Sequence, residues 1–184
     1  MKLLCIAASH RPDSYNRKLI QLATEAYGKH GIEIDAPDYH ALDLPPYDDV
    51  MRESGNIPER AHIIKDRLSA AQGLLVASPE YNWSYPGSLK NIIDWLSHFR
   101  PIPFNGKTAF LMCATPSKRG GALCLSHLKI PLEALGVYVY PEVFTLSEAT
   151  QAFDASGKIT IPKASEQFYQ LLESYRQFTQ KLMA

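Results

Sequence analysis

Short apolar runs that alternate with amphipathic segments are the feature that most constrains the fold of this chain. Five runs are apolar on both faces and read as strands: 2–8, 32–37, 73–78, 108–114 and 137–146. Strands of this kind belong inside parallel sheets covered by helices. Five segments have helical periodicity: 16–31, 58–71, 87–99, 120–136 and 165–182. The alternation predicts an α/β fold with right-handed crossovers, a doubly wound five-stranded parallel sheet of order 2-1-3-4-5 between two helical layers.

Two places depart from this simple alternation. Pro131 is expected to kink or split the fourth helix, because proline lacks the N–H that an inner helical turn needs. The longest irregular segment, 38–57, is expected either to lie above the sheet or to contact another subunit.

Length, charge and apolar content limit the classes of function that this chain can have. With 184 residues and no long linker, we expect a single domain over 1–184. Lys plus Arg and Asp plus Glu number 19 each, so no charged field indicates nucleic acid or an anionic membrane as a partner. The first ten residues are too short for a signal segment, and no apolar run reaches the length of a membrane span. We therefore expect a cytoplasmic protein with three reduced cysteines.

The third predicted helix carries two apolar stripes where one would suffice for a core. Leu89, Ile93 and Leu96 form one stripe, and Ile92, Trp95 and Phe99 form the other. The second stripe predicts a contact with another subunit, and the alternative is a helix covered by its own chain.

Polar residues cluster after the first predicted strand. Ligands of open α/β sheets bind beyond the carboxyl ends of the strands, where the strand order reverses. The loop there and the helix start that follows contain Ser9, Arg11, Ser14, Tyr15 and Asn16. Hydroxyl, amide and guanidinium donors at a helix N-terminus predict a site for a phosphate monoester. The alternative is a purely structural role, in which one of these side chains only caps the helix.

Other phosphate-binding motifs are missing from the sequence. Neither G-x-G-x-x-G nor G-x-x-x-x-G-K-[ST] follows the first strand, which argues against a dinucleotide pyrophosphate and a P-loop. The strand ends without paired acids, unlike a magnesium-holding receiver domain. The six histidines show no metal-ligand spacing, so we expect no metal.

The loops after the third and fourth strands suit a flat ligand. In "SPEYNWSYPG", Pro79 and Pro86 stiffen the ends, while Tyr81 and Trp83 offer planar faces and Asn82 offers an amide. In "ATPSKRGG", Ser117 precedes the pair Gly120 and Gly121, which lets the backbone approach a ligand closely.

These motifs resemble the NADPH-dependent FMN reductases, a flavodoxin-like family that includes azo-dye, quinone and chromate reductases. The resemblance covers nearly the whole chain, and "SPEYNWSYPGSLKNIIDW" matches P-E-Y-N-x-S-x-P-G-x-L-K-N-x-I-D-W at every fixed position. "ASHRPDSYNRKL" resembles the family's phosphate loop, with Ala8 in place of its usual glycine.

The resemblance implies a role for each loop. The residues implied to hold the FMN phosphate are Ser9, Arg11, Ser14 and Asn16, with Tyr15 beside them. Those implied to border the flavin ring are Pro79, Glu80, Tyr81, Asn82 and Ser84. Ser117, Gly120 and Gly121 would close the other side of the ring.

The resemblance also implies an oxidoreductase in which NADPH or NADH reduces bound FMN, and FMN reduces a small acceptor such as a quinone, flavin, azo compound or metal oxyanion. The two reactants would take turns, since they would share one slot. No catalytic side chain is expected, because the cofactor carries the reactive atoms. A homodimer or homotetramer is implied. The alternatives are a flavodoxin-like electron carrier and a flavin-based redox sensor.

Three side-chain roles stay open at this stage. Glu80 is either a proton relay or a structural acceptor, with the structural role favoured. Tyr81 and Trp83 either line a substrate slot or only pack. Lys118 and Arg119 either meet the extra phosphate of NADPH or form a solvated charge pair, which is favoured.

Overall fold

A parallel sheet is the centre of the molecule, which a computed structural model describes over residues 1–183. Its strands are β1 (Lys2–Ala7), β2 (Glu33–Asp35), β3 (Gly73–Ala77), β4 (Thr108–Ala114), β5 (Tyr138–Val139) and β6 (Phe144–Leu146). The order is β2-β1-β3-β4-β5, and β6 also pairs with β4. All described pairings are parallel. The predicted fold class and strand order are confirmed.

Helices flank the sheet at the places where the sequence predicts them. They are α1 (Tyr15–Gly28), α2 (Asp49–Glu53), α3 (Glu59–Ala70), α4 (Gly87–Ser97), α5 (Ala122–Ala134), α6 (Ala149–Ala152) and α7 (Pro162–Met183). A 3₁₀ turn, Tyr39–Leu42, precedes α2. The five long helices correspond to the five predicted ones.

The two faces of the sheet support separate apolar cores. One core includes Leu4 and Val76 and packs against α3, α4 and α5. The other includes Leu75 and Phe110 and packs against α1 and α7. Every residue of β3 and β4 is buried, as expected of strands covered on both faces.

Two predicted elements differ in detail. The fifth predicted strand is two short strands, β5 and β6, separated by residues 140–143. Pro141 lies in the gap and cannot donate to a ladder, which explains the interruption. Helix α5 continues through Pro131 and is not split there. The proline lies in the last turn of α5, so its missing N–H removes one intrahelical hydrogen bond to the preceding turn without ending the helix.

The segment 38–57 packs against α4 of the same chain. The indole Nε1 of Trp95 donates to the Pro45 carbonyl at 2.9 Å, and the Tyr47 ring meets the indole edge-on at 5.1 Å between centroids. Trp95 is 1% exposed and Ile92 is 4% exposed within one chain. The prediction that this stripe meets another subunit is therefore wrong for Ile92 and Trp95, because the chain itself covers them, while Phe99 is partly buried.

No helix within residues 1–183 is both long and apolar enough to cross a bilayer.

Candidate functional site

A cavity of about 220 Å³ lies at the carboxyl edge of the sheet, where β1, β3 and β4 end. The loop after β1 and the start of α1 contribute Ser9, Arg11, Asp13, Ser14, Tyr15 and Asn16. The other two loops contribute Pro79, Glu80, Tyr81, Ala114, Thr115 and Pro116. The structure thus brings together eight of the thirteen predicted site residues. The remaining five predicted site residues lie in the loops after β3 and β4 but do not line the cavity.

The N-terminus of α1 presents two serine hydroxyls at this cavity. Ser14 is the N-cap, and its Oγ accepts the Asn16 N–H at 3.2 Å. Ser9 Oγ accepts the Arg11 N–H at 3.3 Å. Each oxygen therefore accepts from the backbone while its own O–H proton can donate to an anion. The first N–H groups of α1, which lack intrahelical acceptors, add positive potential at the same place.

Arg11 is turned toward a neighbouring carboxylate. Its guanidinium lies 3.2 Å from Asp13, and both side chains are largely exposed. The hydrogen bond from Arg11 lowers the pKa of Asp13. Asp13 also lines the cavity, so Arg11 screens a negative charge that would otherwise repel an anionic ligand.

Asn16 and Tyr15 connect α1 to other elements. The Asn16 side chain donates to the Ala114 carbonyl at 3.0 Å and accepts the Ala114 N–H at 2.9 Å. Both ends of this buried amide are thus occupied by the last residue of β4. The Tyr15 hydroxyl donates to Thr150 Oγ1 at 3.2 Å. In this structure Asn16 fixes the helix start against the sheet and does not direct its amide into the cavity.

The loop after β3 forms a tight two-residue hairpin at the mouth of the cavity. Tyr81 and Ser84 exchange backbone hydrogen bonds of 2.8 and 3.0 Å. Asn82 and Trp83 between them have φ of 47° and 70°, as in a type I′ turn. A left-handed conformation is costly for tryptophan, and strain of this kind is often found at functional sites.

Two aromatic side chains of this hairpin are exposed to solvent. Tyr81 and Trp83 are each 51% exposed. The Arg119 guanidinium from the next loop lies 3.8 Å from the centroid of the Trp83 ring, a cation–π contact. Arg119 therefore bridges two loops at the mouth, which neither alternative for this residue predicted.

Glu80 and two cysteines support the start of α5. Glu80 Oε2 accepts the Cys124 N–H in the first turn of α5 at 3.3 Å. This contact supports the structural role for Glu80, because a carboxylate stabilises a helix N-terminus. Beneath it, a hydrogen bond with Cys124 and burial raise the pKa of the Cys113 thiol. Both thiols are fully buried and free, so they are poor nucleophiles.

The loop after β4 approaches β4 closely at Gly121. This residue has φ of 79°, and an added Cβ would lie 2.2 Å from Cys113 Sγ. Gly120 has φ of 73° and faces Thr145. The Ser117 hydroxyl oxygen accepts the Arg119 N–H at 3.2 Å, while its carbonyl accepts the Glu148 N–H at 3.2 Å. Only glycine fits the close approach at Gly121.

Sequence reasoning missed four cavity residues, Asp13, Ala114, Thr115 and Pro116. The last three directly end or follow β4, and the rule that ligands bind beyond the carboxyl ends of strands could have found them. Asp13 lies inside the predicted phosphate loop, and that position was the signal that could have found it.

The chain is similar to several known proteins. The family model described as NADPH-dependent FMN reductase matches residues 1–151. An NAD(P)H-dependent FMN reductase of Pseudomonas aeruginosa is 36% identical over 186 residues, covering 99% of this chain and 97% of the relative. A quinone reductase of Escherichia coli is 40% identical over 88 residues, covering 47% of this chain and 46% of the relative.

A solved structure shows the same fold. The flavoenzyme NAD(P)H:(acceptor) oxidoreductase of Paracoccus denitrificans superposes with a TM-score of 0.85 at 29% identity. The match covers 98% of this chain and 97% of that one.

Proposed function

The chain belongs to the NADPH-dependent FMN reductase family of oxidoreductases, and from that premise we propose that it binds FMN and reduces a small acceptor at the expense of NADPH or NADH. The observation that carries the proposal is the meeting of three loops at one cavity. One loop offers donors for a phosphate, and the other two offer the mouth and floor for a flat ring.

The donor set suits a terminal phosphate. Ser9 and Ser14 are 3% and 7% exposed and hold hydroxyls with donor capacity at the start of α1. Charge-assisted hydrogen bonds of this kind contribute about 1.5–3 kcal/mol each. Arg11 would add charge after leaving Asp13. Nothing in the first loop is built for a pyrophosphate, which favours FMN over FAD.

The loops after β3 and β4 suit the ring. We propose that Pro79 to Ser84 border it on one side and that Ser117, Gly120 and Gly121 close the other. Asn82 and Ser84 would contact it through the hairpin that holds them. Asn16 would act by fixing the helix start to β4, given that Ala114 occupies both ends of its amide.

Bound FMN supplies hydride transfer between a nicotinamide and an acceptor. The chain's own contribution is to position, shield and stabilise charge. We propose that the N-terminus of α5, held by Glu80, lies close to the bound ring, where its dipole would stabilise negative charge. No side chain need act as nucleophile or acid, and the burial of the cysteines fits that view. The acceptor would be a quinone, free flavin, azo compound or metal oxyanion.

Assembly and location complete the proposal. We expect 1–184 to act as one FMN-binding domain and to form a homodimer or homotetramer. Leu123 and Ile130 on α5 are 45% and 67% exposed, which supports an interface near the mouth of the cavity. Three free, buried cysteines support a reducing, cytoplasmic compartment.

Cofactor identity and turnover test the proposal. We expect mass spectrometry of the released cofactor to show FMN, and NADPH or NADH to bleach its visible absorption, with recovery on adding a quinone. Predominant FAD would contradict the phosphate site. FMN binding without NAD(P)H oxidation by any acceptor would favour the alternatives, an electron carrier or a redox sensor.

The phosphate assignment is tested separately. Ser14→Ala should weaken FMN binding about tenfold to a hundredfold. Ser69→Ala, an exposed serine near the end of α3, is the matched control and should bind FMN as the unmodified chain does. Equal FMN affinity in both variants would remove Ser14 from the site.

A further inference from the structure

Two histidines and an aspartate that are distant in sequence meet beside the loop after β1. His10, His40 and Asp43 each offer a ligand atom, and these atoms all lie within 4.8 Å of one another. His10 Nε2 lies 2.7 Å from Asp43 Oδ1, and the two histidine rings are 4.8 Å apart at 56°. None of these residues lines the candidate flavin cavity.

The backbone holds this cluster in place. His40 lies in the 3₁₀ turn Tyr39–Leu42 and Asp43 is its C-cap. Residues three apart eclipse in a 3₁₀ helix, so both side chains share one face. The Asp38 side chain caps the turn and lies 2.9 Å from the Arg17 guanidinium on α1. The ligands thus lie on two segments, the loop before α1 and the 3₁₀ turn, that already contact each other.

One nitrogen of the His40 imidazole already has a backbone partner. Its Nε2 lies 3.1 Å from the His10 carbonyl oxygen, which can only accept, so Nε2 carries the proton. The lone pair is therefore on Nδ1. Metal-binding histidines almost always donate their other ring N–H to such an acceptor, which fixes the tautomer.

The distances between the ligand atoms in the cluster lie on either side of the distance expected around a bound metal ion. Tetrahedral zinc with bonds of about 2.0–2.1 Å places its ligand atoms roughly 3.3 Å apart. The cluster spans 2.7 Å for its closest pair and at most 4.8 Å overall, so small side-chain rotations would bring the three atoms around one ion. The ion would replace the proton shared by His10 and Asp43.

We propose that His10, His40 and Asp43 bind one divalent transition metal ion of the zinc type. Imidazole and carboxylate ligands suit zinc and its neighbours better than calcium or magnesium. The His10 and Asp43 side chains are 39% and 48% exposed, so the site is open to exchange with solvent and keeps a position for water. It is separate from the flavin chemistry.

The position of His10 gives the site a second consequence, which rests on the proposed function. His10 lies between Ser9 and Arg11, so a bound ion would fasten the 3₁₀ turn to the candidate phosphate loop. Fixing that loop would change its affinity for FMN, because an ordered loop loses less entropy when the ligand binds.

Zinc titration of the tag-free, chelator-treated chain tests the site directly. We expect calorimetry to show saturable binding of one Zn²⁺ per chain. His40→Gln and Asp43→Asn should each weaken it at least about tenfold, the loss that even an outer partner of a ligand can cause. His30→Gln is the matched control, since this exposed histidine follows the opposite end of α1, and it should bind zinc normally.

Several outcomes would overturn the metal site. Absence of saturable binding would do so, as would unchanged affinity in both His40→Gln and Asp43→Asn with native circular dichroism. Equal loss in His30→Gln would indicate scattered surface binding. Visible bands of bound Co²⁺ give an independent readout, and we expect His40→Gln to lose them.

A separate titration tests the coupling. FMN affinity should differ measurably with and without Zn²⁺ in the unmodified chain and not in His40→Gln. An unchanged FMN affinity would overturn the coupling, while zinc binding itself would stand. Failure of FMN to bind at all would contradict the proposed function and leave the calorimetric result on zinc intact.

Discussion

Gly121 is the residue at which the backbone of the candidate site has least freedom. It has φ of 79°, and a Cβ would lie 2.2 Å from Cys113 Sγ. We expect Gly121→Ala to lower the free energy of unfolding by at least about 2 kcal/mol, from crowding and from the left-handed backbone. FMN affinity should fall as well, because the loop that closes the ring must shift. Urea unfolding and FMN titration measure the two effects.

Two comparisons isolate the cause of that loss. Gly28→Ala at the end of α1 meets nothing within 4 Å and should leave both quantities nearly unchanged. Adding Cys113→Ala to Gly121→Ala removes the crowding atom and should recover part of the stability, which a double-mutant cycle would show. Full stability of Gly121→Ala alone would contradict the close approach.

Individual residues were harder to predict than their loops. The sequence placed Asn16 in the phosphate loop, yet its amide bonds both backbone groups of Ala114 across 98 residues. Arg119 was expected to be solvated or to meet a phosphate, yet it lies on Trp83. Motif spacing identifies which loop bears polar side chains, whereas the partner of each one depends on contacts distant in sequence.

At the scale of elements, Glu80 links the loop after β3 to the start of α5. Because its carboxylate accepts the Cys124 N–H, Glu80→Ala should lower the free energy of unfolding by about 0.5–2 kcal/mol, the range for losing a helix cap. Glu80→Gln keeps an acceptor and should lose less. Thermal or urea unfolding measures both variants.

The same variant tests whether Glu80 transfers a proton. We expect Glu80→Gln, loaded with FMN, to retain a measurable bleaching reaction with NADPH in a stopped-flow instrument. Glu59→Gln, in the exposed first turn of α3, is the control for loss of a charge near a helix N-terminus. Complete loss of bleaching in Glu80→Gln alone would assign it a chemical role.

The cover of α4 leads to a different prediction for Trp95 than the sequence suggested. Trp95 is 1% exposed and donates to Pro45, so Trp95→Ala should cost about 3–5 kcal/mol of unfolding free energy. The mass of the Trp95→Ala assembly in analytical ultracentrifugation should match that of the unmodified protein. Trp95→Phe keeps most of the packing and should cost less. A shift in mass without loss of stability would instead support the subunit contact that the sequence suggested.

The elements that the sequence predicted correctly are those with strong periodicity. The long helices and buried strands follow from apolar patterns that tertiary contacts reinforce. The segment 38–57 was not predictable in the same way, because its packing on α4 depends on polar contacts such as Asn91 Oδ1 with the Tyr47 N–H at 2.7 Å. An apolar stripe shows that something covers a helix, but it does not show which chain does so.

At the scale of the whole molecule, topology explains why three loops meet. Parallel strands place their carboxyl ends at one edge, and the order β2-β1-β3-β4-β5 sets β1, β3 and β4 side by side. The loops that follow them must therefore be neighbours, which is why the sequence could locate the cavity. The cluster of His10, His40 and Asp43 was missed because it depends on how the 38–57 segment folds back on the loop after β1.

The mouth of the cavity leads to the last prediction, on the order of reactants. The exposed rings of Tyr81 and Trp83, with Arg119 on the latter, stand at the opening beside the proposed ring site. A flat nicotinamide and a flat acceptor would stack in that same opening, so both cannot be bound together. Steady-state rates against NADPH at several quinone concentrations should therefore give parallel double-reciprocal lines. Trp83→Ala should raise the KM for both reactants, since one slot serves both, whereas Trp95→Phe, a change within α4 beneath the 38–57 segment, should change neither. Intersecting lines would show that both reactants bind at once and would contradict the shared slot.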